Sequence, residues 1–227
     1  MKKNSVAILG KGKTGSKVIE LLEKENISFT IFDSKNLLTL EKLKNHEAVI
    51  SFLPAEPFEN YIPLLIESKI PVISGTTGFV YTDELKKKVF DNNLKWIVAN
   101  NFSLGMNLVK AMIEILGKAE RLVSNPLFQI HEIHHTKKLD APSGTAKSFK
   151  NWLNHEVEIT SERTGDVIGF HEITLTTETE KIKLTHEALD RKIFAEGAVF
   201  AYKKLINPNN IPFGIHEFQK IIEKELL

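Results

Sequence analysis

The feature that most restricts how this chain can fold is Gly10-Lys11-Gly12-Lys13-Thr14-Gly15, set between two segments of different periodicity. Before it, Ser5 to Leu9 is a short apolar run that reads as a buried strand. After it, Val18, Ile19, Leu21 and Leu22 fall at helical spacing across Thr14 to Lys24. In a strand-to-helix turn the three glycines have separate uses. Gly10 allows the tight turn, Gly12 lets backbone approach a pyrophosphate, and Gly15 lets helix and strand pack closely. The start of the helix, at Lys13 and Thr14, offers unpaired N–H groups and the positive end of the helix dipole to phosphate. In this context the G-x-G-x-x-G spacing points to dinucleotide binding.

The next hundred residues repeat the same alternation. Apolar runs at Ile27 to Phe32, Ala48 to Leu53, Pro71 to Ser74 and Lys95 to Ala99 read as strands. Helical patterns at Phe58 to Ser68 and Thr82 to Asn92 lie between them. Strict alternation predicts a Rossmann-type, doubly wound parallel sheet with helices on both faces. Asp33 ends the second strand, where an acid can accept hydrogen bonds from an adenosine ribose; Lys35, two residues on, can meet a 2′-phosphate instead. NADH and NADPH both stay open. Gly75-Thr76-Thr77-Gly78-Phe79 and Asn100-Asn101-Phe102-Ser103 follow later strands, on the edge of the sheet where ligands sit.

After Asn101 the pattern changes. Leu104 to Val123 reads as one long helix. Leu127 to His135, Val167 to Thr176 and Lys181 to His186 read as strands, with helices at Thr145 to Leu153 and Arg191 to Ile206. This predicts an α+β second domain with a mixed or antiparallel sheet. The expected boundaries are 1–103 for the dinucleotide domain and 104–206 for the second. A linker at Asn207 to Pro212 and a helix around His216 to Leu226 return to the first domain as 207–227.

Composition narrows the function classes. The 227 residues carry a net charge of +1, which argues against a general nucleic-acid binder. With no cysteine there is no disulfide, thiolate metal site or cysteine nucleophile. No stretch approaches the length of a membrane span, and the apolar run near the N-terminus is broken by Gly10 and Gly12. A soluble, cytoplasmic protein is the expectation.

His131-Glu132-Ile133-His134-His135 contains a literal H-E-x-x-H, which binds zinc only when a helix brings its two histidines onto one face. Here apolar and polar residues alternate, so a strand is expected. The outer histidines would then lie about 13 Å apart, too far to share one ion. No metal site is expected. The segment that follows, Lys137-Lys138-Leu139-Asp140-Ala141-Pro142-Ser143-Gly144-Thr145, is cationic and turns into a helix start. Backbone N–H groups of Gly144 and Thr145, the Thr145 hydroxyl, Lys138, His134 and His135 together suit a small carboxylate that needs proton transfer.

The run Glu132 to Ala146 resembles the signature of dihydrodipicolinate reductases, E-x-H-H-x-x-K-x-D-A-P-S-G-T-A, at every fixed position. Gly75 to Phe79, Asn101-Phe102-Ser103-x-Gly105-x-Asn107, and His171, His186, Ala188, Arg191, Phe194 and Gly197-Ala198 are also similar to family segments. The resemblance implies an NADH- or NADPH-dependent reductase of a cyclic dicarboxylate in the diaminopimelate and lysine route, typically a homotetramer. It implies that His134 and Lys138 serve catalysis, and that His135, Lys138, Gly144 and Thr145 hold the substrate. Gly10, Gly12, Lys13, Thr14, Gly15, Asp33, Gly75, Thr77, Asn101 and Phe102 would face the cofactor. The chain departs from the family in two places. It has Ser51-Phe52-Leu53-Pro54 where relatives usually read D-F-T, and few residues between Asp33 and Ala48. Another two-domain dehydrogenase of an amino-acid precursor would share the fingerprint without requiring the His-His-x-x-Lys run. A dinucleotide sensor would bind the cofactor without turnover.

Overall fold

The computed structural model describes residues 5–207 and 211–226. The chain divides into two compact units, Met1–Leu104 with Arg191–Leu227, and Gly105–Asp190.

In the first unit, β1 (Ser5–Leu9), α1 (Lys13–Lys24), β2 (Ser28–Phe32), α2 (Leu40–Leu43), β3 (Ala48–Ser51), α3 (Ala55–Ser68), β4 (Val72–Ser74), α4 (Asp83–Asp91) and β5 (Lys95–Val98) follow one another. The short stretch between Asp33 and Ala48 holds only α2. Side chains on a strand alternate between faces, and the core divides accordingly. Val6, Ile8, Ala48, Ile50, Ile73 and Ile97 pack with α1 on one side of the sheet. Ala7, Leu9, Val49, Val72 and Trp96 pack with Phe58 and Leu65 of α3 and Leu85 and Val89 of α4 on the other. A sheet covered on both faces requires nearly continuous apolar strands, as these are.

The second unit comprises α5 (Leu104–Leu116), a 3-10 turn at Ala119–Arg121, β6 (Leu127–His134), α6 (Gly144–Leu153), β7 (Ile159–Arg163), β8 (Phe170–Thr176) and β9 (Lys181–Glu187). The sheet order is β7-β6-β8-β9. β6 runs parallel to β7 and antiparallel to β8, which is antiparallel to β9, so the sheet is mixed as expected. Phe149 and Leu153 of α6 and Val109 and Ile113 of α5 cover one face around Ile130 and Ile173.

The chain then returns to the first unit through α7 (Lys192–Ile206), β10 (Gly214–Glu217) and α8 (Phe218–Leu226). β10 pairs in parallel with β5 and completes the six-stranded order β10-β5-β4-β3-β1-β2.

Four expectations need correction. The boundary at 206 moves to 190, because α7 belongs to the first unit's core: Ala195, Ala198, Val199, Ala201, Tyr202 and Leu205 pack with Val18 and Leu22. The approach is close, since a Cβ on Gly197 would stand 1.7 Å from the Phe102 carbonyl oxygen. The helix expected to run to Val123 stops at Leu116. Gly117 meets the end of α6, where a Cβ would lie 2.2 Å from the Leu153 carbonyl oxygen. The helix expected from His216 begins at Phe218, because the residues before it are drawn into the sheet as β10. The strand at Ile159–Arg163 was not anticipated. Of the expected linker, 208–210 lie outside the described residues. Among the described residues no helix is long and apolar enough to cross a membrane.

Candidate active site

The glycine turn joins β1 to α1 as its spacing requires. Gly10 has a φ of +92°, in the region that disfavours a side chain, and its N–H donates to Phe32 O at 3.3 Å. A Cβ on Gly15 would lie 2.1 Å from the Gly10 carbonyl oxygen, so only glycine permits this contact. Gly12, the N-cap of α1, has nothing within 4 Å of a built Cβ and no side chain to cap the helix. Lys13 is exposed and Thr14 half-buried beside it. Open space over bare helix N–H groups is the cradle a pyrophosphate needs, so these residues fit the nicotinamide dinucleotide that the motif implies.

Asp33 is exposed at the end of β2. Its Oδ1 accepts from Lys35 N at 2.8 Å and Asn36 N at 3.0 Å. These backbone bonds hold its carboxyl below the usual range and keep it anionic. Gly75 follows β4 and is forced by packing, since a Cβ would reach the Phe52 ring at 2.3 Å. Thr77 is exposed in the same loop and Asn101 half-buried after β5, its Oδ1 accepting from Ser103 N at 2.8 Å. Phe102 departs from its expected role. It is 1% exposed, its ring packs against Phe52 and Phe218, and its carbonyl oxygen lies against Gly197. Its side chain belongs to the core. Phe52 and Leu53 also flank Gly10, which gives the unusual Ser51-Phe52-Leu53-Pro54 segment a packing role at the turn.

In the second unit the H-E-x-x-H lies on β6, and the strand separates its members. His131 pairs with Thr160 Oγ1 at 2.9 Å on one face, while Glu132 and His134 are buried on the other. Glu132 is 0% exposed. Its Oε1 accepts from Ser143 N at 2.9 Å, Ser161 Oγ at 2.8 Å and Arg163 Nη2 at 3.0 Å. Its Oε2 faces His134 Nδ1 at 3.4 Å and His171 Nε2 at 3.8 Å. Burial alone would raise this carboxyl, but the bonds from Ser143, Ser161 and Arg163 prevail and hold it down at about 2. It is a buried, permanent anion.

Burial pushes His134 below the usual histidine value, with Glu132 opposing and Lys138 and Arg163 reinforcing the shift. Burial and the neighbouring His134 push His171 to about 4. Both rings are therefore neutral near pH 7. Donor atoms of Glu132, His134 and His171 lie within 4.8 Å of one another, a spacing a divalent ion would also accept. However, the carboxylate already carries its counter-ion in Arg163, which argues against a second cation there.

Beyond His134 the chain turns through half-buried His135, whose carbonyl accepts Lys138 N at 3.1 Å. Lys138 Nζ meets Asp140 Oδ1 and Oδ2 at 2.8 and 3.0 Å. A cis Ala141-Pro142 bond leads to Ser143, whose Oγ caps α6 by accepting from Ala146 N at 3.1 Å. Gly144 is exposed and Thr145 half-buried in the first turn. The structure thus brings His134, Lys138, Gly144 and Thr145 to one strand-to-helix turn. Arg163 and His171 complete the cluster but received no role from the sequence. The alternation of β6 does place Glu132 on the His134 face; His171 enters only through the family resemblance, without a role, and nothing local announces Arg163.

Comparison with known proteins identifies the family. Residues 4–102 match the family model described as dihydrodipicolinate reductase, N-terminus, and residues 105–221 the one described as dihydrodipicolinate reductase, C-terminus. The chain is 31% identical over 220 residues to a 4-hydroxy-tetrahydrodipicolinate reductase of Thermosipho africanus, covering 96% of each. It is 32% identical over 245 residues to one of Pelagibacter ubique, covering 91% of this chain and 94% of that one. A solved structure of dipicolinate-bound dihydrodipicolinate reductase from Paenisporosarcina sp. TG-14 shares the fold, with a TM-score of 0.78 at 22% identity over 96% of this chain and 98% of that one.

Proposed function

The chain belongs to the dihydrodipicolinate reductase family, and from that premise we infer that it reduces 4-hydroxy-tetrahydrodipicolinate to tetrahydrodipicolinate at the expense of NADH or NADPH, in diaminopimelate and lysine biosynthesis. The observation that carries the reading is the turn from β6 to α6, where buried Glu132 holds an imidazole and the start of a helix and Asp140 holds the Lys138 ammonium.

The balanced reaction loses one water from the substrate and takes one hydride and one proton into the ring. Reduced nicotinamide supplies the hydride. Gly10, Gly12, Lys13, Thr14 and Gly15 hold the pyrophosphate, with Asp33 at the ribose and Gly75, Thr77 and Asn101 in the flanking loops. Lys138, His135, and the N–H groups and hydroxyl of Gly144 and Thr145 hold the substrate carboxylates, which positions the ring before reaction. His134 and Lys138 manage the proton. His134 is neutral in the free protein, because burial and nearby cations disfavour its charge. An arriving dicarboxylate adds negative charge beside it and favours the imidazolium, so proton uptake is coupled to substrate binding. The cytoplasmic homotetramer expected of the family is part of this reading, and light scattering measures the assembly.

The test is oxidation of NADH and NADPH with freshly prepared 4-hydroxy-tetrahydrodipicolinate. Turnover with at least one cofactor is expected. Cofactor binding without turnover on this substrate would sink the reading.

A further inference from the structure

Resting on the reductase reading, we propose that Glu132 is a positioning residue that acts through both oxygens, one setting the start of α6 and the other fixing the tautomer and charge of His134.

The Oε1 side is fully engaged. Ser143 is the N-cap of α6, and its own N–H donates to Glu132 Oε1 across eleven residues of chain. Ser161 and Arg163 of β7 hold the same oxygen, and Arg163 also donates to the Asp140 carbonyl. The carboxylate therefore ties the strand carrying His134 to the turn carrying Lys138 and to the first residues of the carboxylate cradle.

The Oε2 side is different. It has no hydrogen-bond partner among the described residues, and neither has His134 Nδ1, which it faces at 3.4 Å. Both atoms are buried. An ionised carboxylate only accepts, so the nitrogen facing it must carry the proton. That assigns Nδ1–H to neutral His134 and leaves Nε2 to exchange the reactive proton. Nε2 lies beside Gly169, where a Cβ would stand 3.3 Å away, so the absence of a side chain keeps this edge of the ring clear. His171 packs edge-on against the ring at 5.0 Å between centroids and keeps it from turning. A long contact of this kind is expected to shorten when the imidazole becomes charged.

The groups bearing on His134 are Glu132 on its own strand, Lys138 and Asp140 from the following turn, Arg163 from β7 and His171 from β8, with His186 of β9 behind His171. Glu132 is the strongest of those favouring the imidazolium. Without it, His134 would titrate lower.

Glu132→Gln tests this, because the amide keeps an acceptor for Ser143 but can donate to Nδ1 and so invert the tautomer. The comparison covers thermal melting, NADH affinity, the pH dependence of kcat, and 15N shifts of His134, in wild type and variant. Expected are near-wild-type NADH affinity, a lowered melting temperature because Arg163 loses its buried counter-charge, kcat lower by roughly 10- to 1,000-fold, the alkaline limb of kcat moved to lower pH, and conversion of Nδ1–H to Nε2–H. A wild-type pH profile and tautomer in E132Q overturn the proposal even if kcat falls, since the residue would then serve loop packing alone. Should E132Q not fold, the wild-type spectrum decides: Nδ1–H supports the proposal and Nε2–H overturns it. The spectral arm needs no turnover, so a wild type inactive on the dicarboxylate would count against the reductase reading without touching this result.

Discussion

Lys138 Nζ lies within 3.0 Å of both carboxylate oxygens of Asp140, two residues farther along the chain. The Nζ is therefore aimed before any substrate arrives, and a substrate carboxylate must compete with Asp140 for it. Lys138→Ala is expected to lower kcat/KM by about 100-fold or more while leaving NAD(P)H affinity unchanged. Asp140→Asn is expected to lower the KM for the dicarboxylate by a few-fold. Steady-state kinetics and a cofactor titration check both. Full activity in K138A would remove the lysine from the site.

Two glycines of the same turn should fail differently. Gly15→Ala places a Cβ 2.1 Å from the Gly10 carbonyl oxygen, so the turn must open. A loss of about 1–3 kcal/mol in stability is expected, as for an overpacked core, together with loss of dinucleotide binding. Gly12→Ala meets nothing within 4 Å. It should melt like wild type and bind NADH more weakly, because the methyl occupies space that the cradle leaves for pyrophosphate. Equal melting of the two variants would contradict this division.

How much was legible follows the range of the interactions. β1, the glycine turn and α1 are contiguous, so their periodicity and spacing sufficed. The alternation from Leu127 to His134 was enough to reject a helical zinc motif. Illegible were features decided by distant partners. Gly214 to Glu217 become a strand because β5 offers an open edge more than a hundred residues earlier. α5 ends where Gly117 meets Leu153. Phe102 lies in a segment that resembles a cofactor loop, yet its burial depends on Gly197 and Phe218. At the site, the sequence places His134 and Lys138, while Arg163 and His171 are brought in by strand pairing alone.

Asp33 should control the choice of cofactor. Its Oδ1 receives two backbone N–H groups, and asparagine can supply the same acceptor. Asp33→Asn thus keeps the turn and removes the negative charge that opposes a 2′-phosphate. The ratio of kcat/KM for NADPH over NADH is expected to rise roughly tenfold. An unchanged ratio would place the discrimination elsewhere.

Acid should destabilise the fold in two steps. His171 titrates at about 4 when folded and at 6.5 when free. Between these values the unfolded chain binds more protons, so stability falls as pH drops from 6.5 toward 4. At about 1.4 kcal/mol per pH unit the ceiling is about 3 kcal/mol. Glu132, held at about 2 against 4.5, adds a second loss as pH falls below 4.5. Melting temperature against pH should show both, and His171→Asn should flatten the first.

If Arg163 already serves as the cation of the Glu132, His134 and His171 cluster, prolonged dialysis against a chelator should leave turnover unchanged. Loss of activity restored by added zinc would instead make the cluster a metal centre.

The return of α7 and β10 to the first unit carries a consequence for synthesis. On the ribosome, residues 105–190 emerge as one uninterrupted stretch and hold every strand of their sheet. The nucleotide-binding half begins first but still lacks the helix packed on α1 and the strand beside β5. The part that is translated later is therefore the first able to mature, and a chain released after residue 190 should present a finished second unit and an incomplete first one.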